Sequence, residues 1–234
     1  MNIIVTGASS GIGFEAVIEL ILSGEHKVIA LARSQDKLER LSEIAAGLNP
    51  DCILFPITFD IVHDDYADLE QFITTNFDGK IDVLINNAGV LINKPFIKLQ
   101  ETDFVEMLQS NFIGHVRIIQ SLYKFMPANS HILNIGSMGG FQGSAKFPGL
   151  SAYSASKAAL HTLTECLAQE FVQQGIKVNC LALGSAQTEM LEQAFPGYQS
   201  PVMAFEMGKY IADFALTGHK FFNGKVLPVT GSTP

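Results

Sequence analysis

Apolar residues along the chain gather into seven short runs separated by stretches of helical length. The runs cover 2–6 (Asn2-Ile3-Ile4-Val5-Thr6), 27–31, 52–57, 81–85, 132–135, 178–183 and 225–229. Most are continuously apolar rather than alternating, the pattern of strands covered on both faces. The β-α-β-α alternation predicts an α/β fold with a parallel sheet wrapped by helices, and right-handed crossovers make it doubly wound. No Pro-, Ser- or Gly-rich linker divides the chain and no internal repeat is visible, so residues 1–234 are read as one domain.

Two helical stretches are apolar on more than one side. From 111 to 126, Phe112, Val116, Ile119, Tyr123 and Met126 form one stripe, and Ile118, Leu122 and Phe125 a second. From 155 to 171, Leu160, Leu163, Leu167 and Phe171 share a face, with Ala155, Ala158 and Ala159 beside them. A helix apolar on two sides must bury both. These stretches are either deep core helices or a subunit interface. The interface is the preferred reading and implies a homodimer or homotetramer.

Hydrophobic residues are 47% of the 234 and charged residues 16%, which excludes global disorder and allows a sizeable core. Lys+Arg 15 against Asp+Glu 23 leaves a net charge of −8. That argues against a nucleic-acid or anionic-membrane partner, so any bound phosphate must be held by local geometry. Cys52, Cys166 and Cys180 are far apart and lack metal-ligand spacing, so neither a disulfide framework nor a metal site is expected. No charged leader precedes the first run and no run approaches a bilayer span. A cytoplasmic protein with no membrane partner is the expectation.

The first run passes directly into Thr6-Gly7-Ala8-Ser9-Ser10-Gly11-Ile12-Gly13, where a helical pattern begins. Glycines at 7, 11 and 13 let the main chain turn sharply and bring its N–H groups close to a ligand. With the positive end of the following helix they make an anion site that needs no lysine. No Gly-Lys-Ser/Thr follows, which excludes a P-loop. Tyr153 and Lys157 stand four apart at the start of another helical pattern, and so share a face. An ammonium there favours the phenolate and is expected to lower the Tyr153 pKa toward neutral pH.

Thr6-Gly7-x-x-x-Gly11-Ile12-Gly13, then Asn86-Asn87-Ala88-Gly89, then Tyr153-x-x-x-Lys157, in this order and at this spacing, resemble the short-chain dehydrogenase/reductase family over nearly the whole chain. The resemblance implies a Rossmann-type sheet of about seven strands and a nicotinamide dinucleotide. The implied reaction moves hydride between that cofactor and a small-molecule carbonyl or alcohol. Ser9, Ser10 and Ile12 then share the glycine turn's phosphate site. Tyr153 would deliver the proton, Lys157 would also hold the nicotinamide ribose, and Ser137 would hydrogen-bond the reacting oxygen. Asn111 matches the asparagine that orders a water leading to Lys157; alone it reads as the N-cap opening its helix. Asn87, Ala88 and Gly89 would lie along the cofactor, and Gly184 and Thr188 would approach its carboxamide and pyrophosphate. Asp60, with Ile61 beside it, resembles the carboxylate that meets the adenine, although Asp60, Asp64 or Asp65 could equally cap the next helix.

After the second run the chain reads Leu31-Ala32-Arg33-Ser34, with no carboxylate for a free ribose and a guanidinium fork beside a hydroxyl. NADP(H) is therefore expected ahead of NAD(H), the alternative being that Arg33 is only a solvated surface residue. Departures from the family pattern are Leu183 and Thr230, where the family commonly has Pro and Asp, and a long interval between Ser137 and Tyr153. The substrate pocket is expected to be shaped by residues after Gly139, by Lys94 to Leu99, and by a lid over 185–203 rich in apolar side chains. Carbonyl or 3-oxoacyl reduction is the expected activity. A non-catalytic dinucleotide sensor or scaffold on the same fold is the competing class.

Overall fold

Each of the seven apolar runs is a strand in the computed structural model, which describes residues 1–231. The last three residues of the expected domain lie outside the described residues. The strands are β1 (Asn2–Thr6), β2 (Lys27–Ala32), β3 (Ile53–Thr58), β4 (Val83–Asn86), β5 (His131–Ser137), β6 (Lys177–Leu183) and β7 (Val226–Val229). All pair in parallel, in the order β3-β2-β1-β4-β5-β6-β7. Ile3 sits opposite both Val28 and Val83, and Ile132 opposite both Leu84 and Val178.

Strand side chains alternate between two apolar layers, which is why the runs show no polar alternation. Ile3, Val5, Val28, Ala30, Ile85 and Leu133 pack toward α1 (Gly11–Leu22), α2 (Gln35–Leu48) and α8 (Ala204–Thr217). Ile4, Ile29, Leu31, Leu84 and Ile132 pack toward α3 (Ala67–Asn76), α5 (Gly114–Leu122) and α6 (Ser151–Glu170). No helix among the described residues is long and apolar enough to cross a membrane.

The helix carrying the first double stripe begins earlier than the stripe does. α4 (Glu101–Leu108) opens on a capping box in which the Asp103 carboxylate accepts from the Gln100 N–H at 2.7 Å. It then widens by one residue over Gln109–Ile113 and continues as α5. Asn111 therefore does not open or cap its helix, as expected above, but lies buried inside the widened turn. Of the α4 residues only Met107 is buried, so no apolar stripe marks the true start. Ile118, Ile119 and Leu122 are buried, whereas Val105, Leu108 and Tyr123 remain exposed. On α6, Leu160 is buried and Leu163 and Leu167 only half-buried.

The strand order reverses between β1 and β4. Connections leaving the carboxyl ends of these strands diverge to opposite sides and leave a crevice at that edge of the sheet. All expected site residues except those on α1, on α6 and in the Asn111 turn end or follow a strand.

Candidate active site

The crevice begins at the glycine turn. Gly7 and Gly11 have φ of +65° and +56°, conformations a side chain would strain. A Cβ at Gly7 would lie 2.7 Å from Ala88 Cα, and one at Gly13 would collide with Asn87 Nδ2. These glycines let the turn after β1 press against the segment after β4. Thr6 Oγ1 accepts from the N–H groups of Asn87 and Ala88 at 3.0 Å each, while Asn87 Nδ2 donates to the Thr6 and Gly7 carbonyls. Ser10 stands at the N-cap of α1 without a side-chain cap, so the first-turn N–H groups are not closed off by it.

A cleft of about 760 Å³ follows the strand ends from this turn in both directions. Toward β2 and β3 it is lined by Ser9, Arg33, Ser34, Asp60 and Ile61; at its centre by Gly7, Ser10, Gly11, Ile12, Ala88 and Thr188. Toward β5 and β6 it is lined by Asn87, Gly89, Ser137, Tyr153, Lys157 and Gly184. Gly13 and Asn111 do not line it: Gly13 packs beneath the turn. Among the described residues Arg33 makes no ion pair and is exposed. Asp60 Oδ1 accepts from the Val62 N–H at 2.8 Å, closing its own turn, and Asp65 rather than Asp60 accepts from the Ala67 N–H at the start of α3.

At the β5 end, Ser137 Oγ accepts from the Gly139 N–H at 3.1 Å, and its hydroxyl stands beside that of Tyr153 and favours the ionised form of the phenol. Lys157 is buried; its Nζ donates to the Ile135 carbonyl at 2.8 Å and lies 6.0 Å from the Tyr153 ring centre. Burial pushes the Lys157 ammonium down to about 8. Burial also pushes the Tyr153 phenol up from its ordinary value, opposed by the Ser137 hydroxyl. The expected lowering of Tyr153 by Lys157 is thus overturned: desolvation of the phenolate outweighs the hydroxyl that favours it, and Lys157 spends its shortest contact on a carbonyl.

Three side chains outside the expected set help shape the cleft, two of them at this end. His161 continues the Tyr153–Lys157 spacing by another four residues; its Nε2 accepts from the Ser137 N–H at 3.4 Å, beneath a Gly136 whose missing Cβ leaves room for the ring. His115, four after Asn111, donates from Nε2 to the Ala88 carbonyl at 2.7 Å, and burial holds its pKa down to about 3. Asn111 itself pins Val90 from both sides, donating to its carbonyl at 2.9 Å and accepting from its N–H at 2.8 Å, and also donates to Ser156 Oγ at 2.9 Å. The third is Lys37, in the first turn of α2 and lining the cleft near Arg33. Four-residue spacing from a residue already singled out was the available signal for all three.

Beyond Tyr153 the cleft is lined by Val90, Leu91, Met138, Phe147 and Leu150, and by Met190, Leu191, Phe195 and Tyr198 from the segment expected to form a lid. Lys157 is the one charged side chain among the lining residues at this end. Lys94 to Leu99, expected to shape the pocket, do not line it. Lys94 pairs with Asp103 at 2.7 Å and Phe96 and Ile97 face outward, so Val90 and Leu91 supply that wall instead. Leu183 and Thr230 both line the cleft.

A family model described as short chain dehydrogenase matches residues 1–199. Among curated relatives, the Nodulation protein G of Rhizobium sp. is 29% identical over 97% of this chain and 94% of its own length. An uncharacterised oxidoreductase of Staphylococcus aureus is 29% identical over 94% of this chain and 92% of its own. Among solved structures, a dehydrogenase/reductase from Sinorhizobium meliloti superposes with a TM-score of 0.84 at 28% identity, covering 98% of this chain and 93% of that one. A short-chain dehydrogenase/reductase from Serratia marcescens gives 0.83 at 26% identity, covering 98% and 96%.

Proposed function

Because this chain belongs to the short-chain dehydrogenase family of oxidoreductases, we propose that it is an NADP(H)-dependent reductase of small, uncharged, largely apolar carbonyl compounds. The observation that carries the reading is the Ser137–Tyr153–Lys157 group at one end of a cleft whose other end presents Arg33 and Ser34. The middle fits a dinucleotide by construction. Gly7 and Gly11 line the cleft without side chains, so main chain faces the space there, and main-chain N–H groups suit a pyrophosphate. Arg33 and Ser34 offer a fork and a hydroxyl to a 2′-phosphate, with Ala32 in place of a carboxylate that would repel it.

When bound, the reduced nicotinamide supplies the hydride. The protein supplies the proton and the geometry. Tyr153 Oη gives its proton to the oxygen left on the former carbonyl. A raised phenol pKa keeps Tyr153 protonated across the working range, and transfer to an alkoxide remains downhill because an alkoxide is far more basic than a phenolate. Ser137 Oγ, already aligned by the Gly139 N–H, hydrogen-bonds the same oxygen as charge develops. Lys157, buried within 6.0 Å of the phenol ring centre, stabilises the phenolate that remains. Asn111 and His115 hold Val90 and Ala88, and so fix the wall facing Lys157.

The uncharged lining beyond Tyr153, on a chain of net charge −8, favours a free apolar ketone or aldehyde over a thioester borne by an acidic carrier protein. The exposed Val105, Leu108 and Tyr123, with the half-buried Leu163 and Leu167 of α6, favour a homodimer or homotetramer. A panel of ketones, aldehydes, carboxylate-bearing analogues and 3-oxoacyl thioesters, followed by absorbance of the reduced cofactor, tests the reading. Neutral ketones or aldehydes should turn over with kcat/KM for NADPH at least about tenfold above NADH, as one charge-assisted contact provides. Cofactor binding with no turnover on the whole panel would instead mark a dinucleotide sensor, and NADH preference would remove Arg33 from the site.

A further inference from the structure

The lid is fastened at both ends of its tip. Its feet meet where Gln187 pairs with Met203 and the Gln187 N–H donates to the Val202 carbonyl at 2.8 Å. Its tip is the short helix α7 (Glu189–Ala194). On the substrate side Asn93 Nδ2 donates to the Ala194 carbonyl at 2.7 Å. On the cofactor side Lys37 Nζ donates to Glu189 Oε2 at 2.9 Å, joining residues 152 positions apart. Lys37 and, more weakly, Arg40 hold the Glu189 carboxyl below its usual range. Lys37 and Glu189 both line the cleft, at the end occupied by Arg33 and Ser34. A lid carboxylate therefore occupies the second cation of the end assigned above to the 2′-phosphate.

Resting on the NADP(H) reading, we propose that Lys37 is a second 2′-phosphate ligand held in reserve by Glu189, and that the phosphate and the lid carboxylate compete for it. The side chains of the pair are 47% and 68% exposed, so the contact is weak and easily exchanged. A phosphate monoester carries nearly twice the charge of a carboxylate and three acceptor oxygens, so it displaces Glu189 rather than the reverse. Displacement frees the cofactor end of α7 while Asn93 still holds the other. Glu189 thereby acts as a specificity-determining residue: its grip on Lys37 is a cost borne only by the cofactor that carries the extra phosphate. By linkage, loosening the pair tightens phosphate binding, by at most the factor by which the pair itself weakens.

The test uses the full chain and two cofactor fragments, 2′,5′-ADP and 5′-AMP, with dissociation constants measured by calorimetry. Glu189→Gln should tighten 2′,5′-ADP about two- to fivefold and leave 5′-AMP unchanged. Lys37→Met should weaken 2′,5′-ADP alone, and in that background Glu189→Gln should have no further effect. Glu192→Gln, which removes a charge from the same helix outside the pair, controls for the general field. Hydrogen exchange at 189–194 should quicken with 2′,5′-ADP and not with 5′-AMP. The proposal is overturned if Glu189→Gln does no more than Glu192→Gln, or if the Lys37 and Glu189 effects are independent in the double variant. Should Arg33→Ala alone abolish the preference for 2′,5′-ADP, the NADP(H) reading stands and the reserve ligand falls. Should the unaltered protein bind both fragments equally, both fall.

Discussion

At Tyr153 and Lys157 burial acts on both partners and pushes their pKa values toward the neutral forms, the phenol up and the ammonium down to about 8. A pair that four-residue spacing presents as a simple cation-activated phenol is, in its setting, a protonated acid beside a lysine near its own titration point. The sign of the pH dependence follows. Below about 8 Lys157 is charged and, in the proposed reaction, stabilises the phenolate left after proton delivery; above it the charge is lost. In the reductive direction kcat/KM for NADPH, which reports the free enzyme, should therefore fall as pH rises through about 8. Tyr153, raised above its ordinary value, cannot produce a limb at that pH. A profile flat to pH 10 would show that the Lys157 charge is not used.

Among the elements, glycine marks two opposite situations. Gly208 on α8 faces α1 so closely that a Cβ would lie 2.8 Å from the Ala16 main-chain N. Gly47, within α2, has nothing within 4 Å of such a Cβ. Gly208→Ala should destabilise by about 1–3 kcal/mol through overpacking against backbone. Gly47→Ala should stabilise by about 0.5–1 kcal/mol through helix propensity. Paired urea unfolding curves decide both, and equal midpoints for the two variants would contradict the α1–α8 contact as described. The strands were legible because burial on both faces leaves an unbroken apolar run, and the glycine turn because only glycine tolerates its backbone angles. The start of α4 was not: it buries only Met107, so the apolar stripe began at Phe112 and made Asn111 look like a cap. Lys94 to Leu99 misled in the same way, because an apolar side chain in sequence does not reveal that Phe96 and Ile97 point outward.

Across the whole molecule, the parallel sheet delivers its chemistry from separate strand ends. β1 and β4 supply the glycine turn and the segment stitched to it, β2 the basic end, and β5 with α6 the Ser137–Tyr153–Lys157 group. Three motifs in order sufficed to read this plan, since each sits beside a strand end that the alternation already places. What joins distant segments stayed hidden. The Lys37–Glu189 contact spans 152 positions, and the rise in the Tyr153 pKa depends on what surrounds the phenol rather than on its neighbours along the helix. In the proposed reaction the plan also separates two functions, because the glycine turn and the basic end lie apart from Tyr153.

That separation and the role of Tyr153 are tested together by one variant, Tyr153→Phe, assayed for NADPH affinity and for carbonyl turnover in parallel. Loss of the proton donor should lower kcat by at least about 100-fold while the NADPH dissociation constant stays within about threefold. Turnover within tenfold of the unaltered protein, on the same ketone and cofactor, would contradict the assignment of Tyr153 as the acid.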